Sequence, residues 1–234
     1  MIVRAILAVS LVAALALESA ANRDPVVSLQ GPLVSRALPD TVCGTLLWNA
    51  DQSFETAYGW QYEGVVPPYY GAFAESYHGE WEVCAAVFGF TTTYDPTGKV
   101  MDVYVWGDAS GVPGNVLCAV PGVDPGPVAQ WPFVSFHEVR LSGCCTGTDW
   151  WVGYWGAWPG EVAWWFTAAD EDGPGGDPKT NIAPGLGYPT GWQDVMIPFG
   201  PTQALAIGAE VIPCTAIPVQ ESSWGRIKSI YQSP

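Results

Sequence analysis

Ser135 and His137 stand two residues apart in "FVSFHEV", so an extended chain puts a hydroxyl and an imidazole on one face, as a nucleophile and its base require. No Gly-x-Ser-x-Gly elbow accompanies them, and the competing reading is a half-exposed strand face. Glycoside hydrolysis needs two carboxylates facing one groove. Glu55, Glu63, Glu75, Glu80, Glu82 and Asp102 are raw material for that chemistry, yet no Glu-x-Asp-x-Glu triplet on a strand appears. No catalytic residue is assigned on these grounds, and a polysaccharide-active enzyme ranks third among the functional readings.

Metal chemistry has one candidate, the loop "DEDGPGGDP" from Asp170 to Pro178. Hard oxygen ligands on a glycine-rich loop that can fold around an ion are what calcium selects, and Asp170, Asp172 and Asp177 are the expected ligands. The spacing is not that of an EF-hand, so a flexible acidic loop with no cofactor is the leading reading and calcium the alternative. Zinc is not expected, because no Cys-x-x-Cys or Cys/His cluster has ligand spacing.

Aromatic faces are the remaining chemical signal. The stretch "DWWVGYWGAWPGEVAWW", Asp149 to Trp165, holds six of the 13 tryptophans. Pro159-Gly160 can turn a hairpin there, pairing Trp155 with Trp164 and Tyr154 with Trp165. Alternation then sorts Trp151, Trp155 and Trp164 onto one face, expected to be core, and Tyr154, Trp158 and Trp165 onto the other, expected to face outward. Sugar rings carry apolar C–H faces that stack on indole, and polar neighbours such as Asp102, Gln193 or Asp194 could take their hydroxyls. The expected ligand-binding set is Trp106, Tyr104, Asp102, Tyr154, Trp158 and Trp165.

The elements that must position these residues are strands. Short aromatic and β-branched runs recur between Gly/Pro/Asp clusters, and no helical period of useful length precedes the last dozen residues. Strands are expected over residues 42–48, 54–62, 71–77, 81–92, 100–106, 115–120, 133–141, 150–158, 161–168, 192–199 and 205–212. "GVPG" (Gly111 to Gly114) supplies turn residues between two of them. Met101, Val103 and Val105 form a clean apolar face opposite Asp102, Tyr104 and Trp106. Likewise Leu205, Ile207, Ala209 and Val211 oppose Ala204, Ala206 and Gly208, a small face suited to close approach by another layer. The expectation is one all-β domain, a two-sheet antiparallel β-sandwich of jelly-roll-like form.

Residues 1–21 read as an export signal. Arg4 starts it, Ala5 to Leu17 is uncharged and apolar, and Ser19 and Ala21 offer small residues for cleavage before Asn22. That run is too short to span a bilayer, and no second one follows, so no membrane span is expected. Residues 22–40 then read as an N-terminal extension, 41–214 as the sandwich and 215–234 as a C-terminal tail. Cleavage removes one base and one acid, so the net charge stays −15, which repels nucleic acid and anionic lipid. In an exported chain the even set Cys43, Cys84, Cys118, Cys144, Cys145 and Cys214 points to disulfides. Adjacent Cys144 and Cys145 point to opposite faces and so to different partners; a Cys43–Cys214 bridge is one option, and the spacing does not choose among 15 pairings.

The tail "SSWGRIKSIY", with "VYVWGDASGVPGNVL" and "GWQDVMI…ALAIGAE" in the body, resembles secreted β-sandwich proteins of uncharacterised environmental bacteria that end in WGRIKxxY. The resemblance spans roughly residues 80 to 231 and implies export and a sandwich fold; it carries no catalytic residue or ligand. Trp224, Ile227 and Tyr231 would share one face of a short tail helix. The resulting expectation is a secreted, non-catalytic protein with a surface, matrix or self-assembling structural role, whose partners are copies of itself or glycans. The alternative is a carbohydrate-binding module using the Trp-rich hairpin.

Overall fold

The structure is a computed structural model, which describes residues 26–35, 38, 41–51, 53–60, 71–156 and 165–214. The export signal, Trp158, Trp164 and the tail lie outside these residues. The chain is all-β, with two sheets packed face to face. Its strands are β1 (Val26–Gln30), β2 (Val34–Ser35), β3 (Thr45–Leu47), β4 (Thr56–Trp60), β5 (Gly71–His78), β6 (Trp81–Thr91), β7 (Met101–Asp108), β8 (Pro113–Val123), β9 (Phe133–Cys145), β10 (Asp149–Gly156), β11 (Phe166–Asp170), β12 (Lys179–Ile182), β13 (Gly191–Asp194), β14 (Ala204–Leu205) and β15 (Ile207–Pro213). One sheet has nine strands, ordered β1-β4-β11-β6-β15-β3, with β14 on β11, β9 on β6 and β2 on β9. The other has six, ordered β13-β12-β5-β10-β7-β8.

The core lies between the sheets. Met101, Val103 and Val105 enter it from β7, and Leu205, Ile207, Ala209 and Val211 from β14 and β15, as their alternation requires. The opposite, small face of β15 is also covered. A side chain at Gly208 would strike the Trp48 ring and, at 2.9 Å, the Leu47 carbonyl oxygen, so this position admits little more than hydrogen. Ala57, Ala168, Ala204 and Ala206 form the floor of this second apolar layer, beneath Phe54, Trp48 and Phe136. Aromatic tips reach across the main core to polar partners. Tyr77 Oη donates to the Ile207 carbonyl at 2.7 Å, Tyr154 Oη meets Thr167 Oγ1 at 2.9 Å, and Trp60 Nε1 donates to Thr180 Oγ1 at 2.9 Å. Each bond gives a wide ring a polar anchor in the opposite sheet, which fixes how the sheets face each other.

Several expectations change. The expected hairpin pairing is not made: β10 pairs with β5 and β7 in the six-stranded sheet, whereas β11 pairs with β4, β6 and β14 in the other. Tyr154 therefore lies opposite Phe73 and Val103, not Trp165. The segment expected as an N-terminal extension supplies β1, bonded to β4 across the full run from Val26 to Gln30, and also β2. The strand expected over 192–199 stops at Asp194. Its carboxylate accepts the Met196 N–H at 2.9 Å, and one helical turn, α1 (Met196–Phe199), follows. The β7–β8 turn sits two residues ahead of "GVPG". Ser110 and Gly111, with φ of 61° and 86°, are its central pair, closed by Ala109 N–H on the Val112 carbonyl, which is the primed geometry that two-residue hairpins favour.

Three disulfides join Cys43 to Cys84, Cys118 to Cys144 and Cys145 to Cys214. Cys144 and Cys145 do go to different partners, as opposed faces require, while Cys43 and Cys214 are not bonded to each other. Cys118 on β8 and Cys144 on β9 belong to different sheets, so their bond ties the sandwich shut along one side. Disulfides of this number fit an oxidising compartment. No helix among the described residues is long and apolar enough to cross a membrane.

Candidate functional site

Directly opposed residues in a sheet share a face, so the register lays out the outward side of the six-stranded sheet in rows. One row runs Trp192, Asn181, Ala72, Trp155, Asp102; the next runs Asp194, Lys179, Ala74, Gly153, Tyr104; a third holds Ser76, Trp151 and Trp106. Small residues occupy the middle, and rings lean over them from both sides. Tyr104 stacks on Trp106 with centroids 5.1 Å apart, and Trp192 meets Trp106 edge-on at 5.4 Å and Trp155 at 6.5 Å. Trp106 and Trp151 are buried in this cluster, whereas Tyr104, Trp155 and Trp192 stay partly exposed.

The sequence sorted the rings of β10 correctly but assigned the sorted sets to the wrong sides. Trp150, Val152 and Tyr154 enter the core, and Trp151 and Trp155 face outward. The physical reason is that both sets are aromatic, so alternation separates them without saying which is covered by the second sheet. Of the expected ligand-binding set, Trp106, Tyr104 and Asp102 do share the outward face. Tyr154 and Trp165 do not: they are 2% and 1% exposed, packed on Phe90 in the core. Asp194 reaches the outward face, but Gln193, opposite Thr180, points to its other side. Trp192 was the omission, hidden in a segment with no alternation to assign its face.

Lys179 is the one cation on this face among the described residues. Its ammonium pairs with Asp177 and lies 3.6 Å from Asp194, and 5.9 Å from the Trp151 ring centroid. Such a pairing leaves the face predominantly acidic.

The acidic loop is organised around two buried carboxylates. Asp170 accepts N–H groups from Asp51, Asp172 and Gly173, at 2.7, 3.0 and 2.6 Å. Asp51, Asp170 and Asp172 bring oxygens within 4.8 Å of one another, whereas Asp177 is held elsewhere, so the expected trio does not converge. With three backbone donors on it, Asp170 already has a loop-forming role that a cation would have to share. Glu75, fully buried on β5, accepts from Asn49 Nδ2 and Asp177 N–H on one oxygen and from Leu205 N–H on the other. Burial pushes its pKa up to about 7 against those three donors. A side chain at Gly176 would run into Glu75 and into Asn49 Nδ2, so the glycine is what lets the loop lie this close.

Ser135 and His137 do meet. Nε2 of His137 lies 2.7 Å from Ser135 Oγ and Nδ1 lies 2.6 Å from the Pro125 carbonyl, which assigns the ring proton to Nδ1 and makes the serine the donor to Nε2. Ser135 Oγ in turn accepts the Ala129 N–H at 2.9 Å. Burial holds the His137 pKa below its ordinary value, so the ring is neutral. Through Pro125 and Ala129 the pair staples the 124–130 segment to β9.

No protein-family model matches the sequence, and neither does any curated protein. Among solved structures the chain is similar to the crystal structure of the cysteine protease and lectin-like domains of Cwp84, a surface layer associated protein of Clostridium difficile, at 11% identity and a TM-score of 0.49. The likeness covers 72% of this chain and 36% of that one, so this chain spans about a third of its length.

Proposed function

We propose that this protein is a non-catalytic surface or matrix module, exported from the cell, that holds glycan chains on the outward aromatic face of its six-stranded sheet. The observation that carries the reading is the trio Tyr104, Trp155 and Trp192, left partly exposed over a floor of Ala72, Ala74 and Gly153. Rings so placed offer apolar planes to sugar C–H faces, while Asp102, Asn181 and Asp194 stand in the same rows to take hydroxyl groups.

Retention on insoluble polysaccharides and on a glycan array tests this. The mature chain is expected to be retained, and Trp192→Ala to weaken retention by at least about tenfold, the scale for losing a central aromatic contact. Failure to retain the wild-type chain on any glycan would overturn the reading. Self-association is the second reading. It is favoured by β8, an 11-residue strand at the end of the sheet order among the described residues, on which Val116 is 51% exposed. Particles far larger than the monomer in sedimentation, with no glycan retained, would support it instead.

A further inference from the structure

We infer that the glycan taken by this face carries free, positively charged amines, and that a small cleft at the end of the six-stranded sheet receives one of them. The inference rests on the glycan reading above and names its substrate class.

The cleft, of about 180 Å³, lies where β5, β7 and β10 end, and Ser76, Asp108, Asp149, Trp151 and Asp177 line it. That volume is below the usual range for a whole ligand and suits a single substituent of a longer chain. Trp151 belongs to both places: it walls the cleft and packs under Tyr104 and Trp192 in the aromatic cluster. Through Trp151 the cleft therefore adjoins the face that carries the exposed rings. Of its three carboxylates, Asp108 is held in position, accepting Trp151 Nε1 at 3.0 Å and Gly111 N–H at 3.1 Å. Those bonds keep its carboxyl below the usual range, and it is ionised at neutral pH. Asp149 sits beside His78, 2.6 Å from Nδ1.

Charge decides what the cleft accepts. Asp102 and Asp194 add two more acids to the same face, and Lys179 is occupied by Asp177 and Asp194. His78 also lines the cleft, beside Asp149; the remaining described lysine and arginine, Lys99 and Arg140, belong to neither the cleft nor these rows. Sulfated or uronate polymers would meet this surface as like charge, on a chain that already carries −15. A sugar ammonium brings three donors to oxygens that are acceptors only, which pairs charge with hydrogen bonding.

The test compares β-1,4-linked glucosamine hexamer with N-acetylglucosamine hexamer on the full chain, at mildly acidic pH, by calorimetric titration at low and high salt. The expected result is binding of the free-amine hexamer at least about tenfold tighter at low salt, with the margin shrinking at high salt as screening demands. The Asp108→Asn/Asp149→Asn double variant is expected to lose the margin; Asp149→Asn alone, at an exposed site, is expected to reduce it and serves if the double variant folds poorly. Equal binding of both hexamers, or a margin untouched by these substitutions, overturns the amine inference while leaving glycan binding intact. A chain that binds neither hexamer and no other glycan overturns the underlying reading instead.

Discussion

Trp165→Ala is expected to cost ~3 to 5 kcal/mol of folding stability, the range for emptying a large buried aromatic, whereas Trp155→Ala is expected to cost about 1 kcal/mol or less. Trp165 is 1% exposed and packs against Phe90 with centroids 5.6 Å apart, inside the cluster shared by both sheets. Phe90 is itself wedged against the rings of Phe88, Tyr154 and His137, so it has little room to collapse into the space left. Trp155 lies on the outward face and keeps part of its surface in water. Denaturant unfolding of the two variants with the disulfides intact measures the difference. Equal losses would mean that a further layer buries the outward face and that no aromatic surface is open to a ligand.

Stability is expected to fall by about 3 kcal/mol between pH 4.5 and 7 through Glu75 alone, the free-energy equivalent of a pKa raised from 4.5 to about 7. In that window the unfolded chain has released the Glu75 proton while the folded chain still holds it. The folded state therefore binds more protons, and raising the pH favours unfolding. Below pH 4.5 both states are protonated and the contribution is fully present; above about 7 it is lost. His137 works in the opposite sense, because its folded pKa lies below the ordinary 6.5 and its contribution is lost as the pH falls. Comparing the wild-type chain with Glu75→Gln across this range removes the His137 contribution, which both share. The Gln variant is expected to be the flatter of the two. A carboxyl carbon resonance of Glu75 titrating near its ordinary 4.5 would contradict the account, and would mean that the three donors from Asn49, Asp177 and Leu205 outweigh burial.

What the sequence made legible depends on how one-sided each strand is. On β7 the alternation of Met101, Val103 and Val105 with Asp102, Tyr104 and Trp106 has a single solution, and the structure adopts it. On β10 large apolar rings stand on both sides, Trp150 and Tyr154 against Trp151 and Trp155, so period two separates the sets but cannot orient them. The partner of β10 was also out of reach. Pro159-Gly160 suggests a local hairpin, whereas the pairs formed, with β5 and β7, come from distant parts of the chain. The strand β12 went unseen because Lys179, Thr180, Asn181 and Ile182 carry little apolar pattern; its two polar outward residues belong to the candidate site. Glu75 did leave a signal: it takes the inward position between Phe73 and Tyr77, where an acid is out of place unless donors converge on it.

The central claim is that the sandwich keeps one set of indoles for its core and offers another to a saccharide. A proton–nitrogen correlation spectrum of the indole N–H groups, followed during titration with a glycan the chain retains, tests it most directly. The account predicts shifts confined to the outward rings, Trp155 and Trp192 first and Trp106 through its contact with Trp192, while Trp150 and Trp165 stay fixed. Shifts centred on Trp150 and Trp165, with Trp155 and Trp192 unmoved, would contradict it.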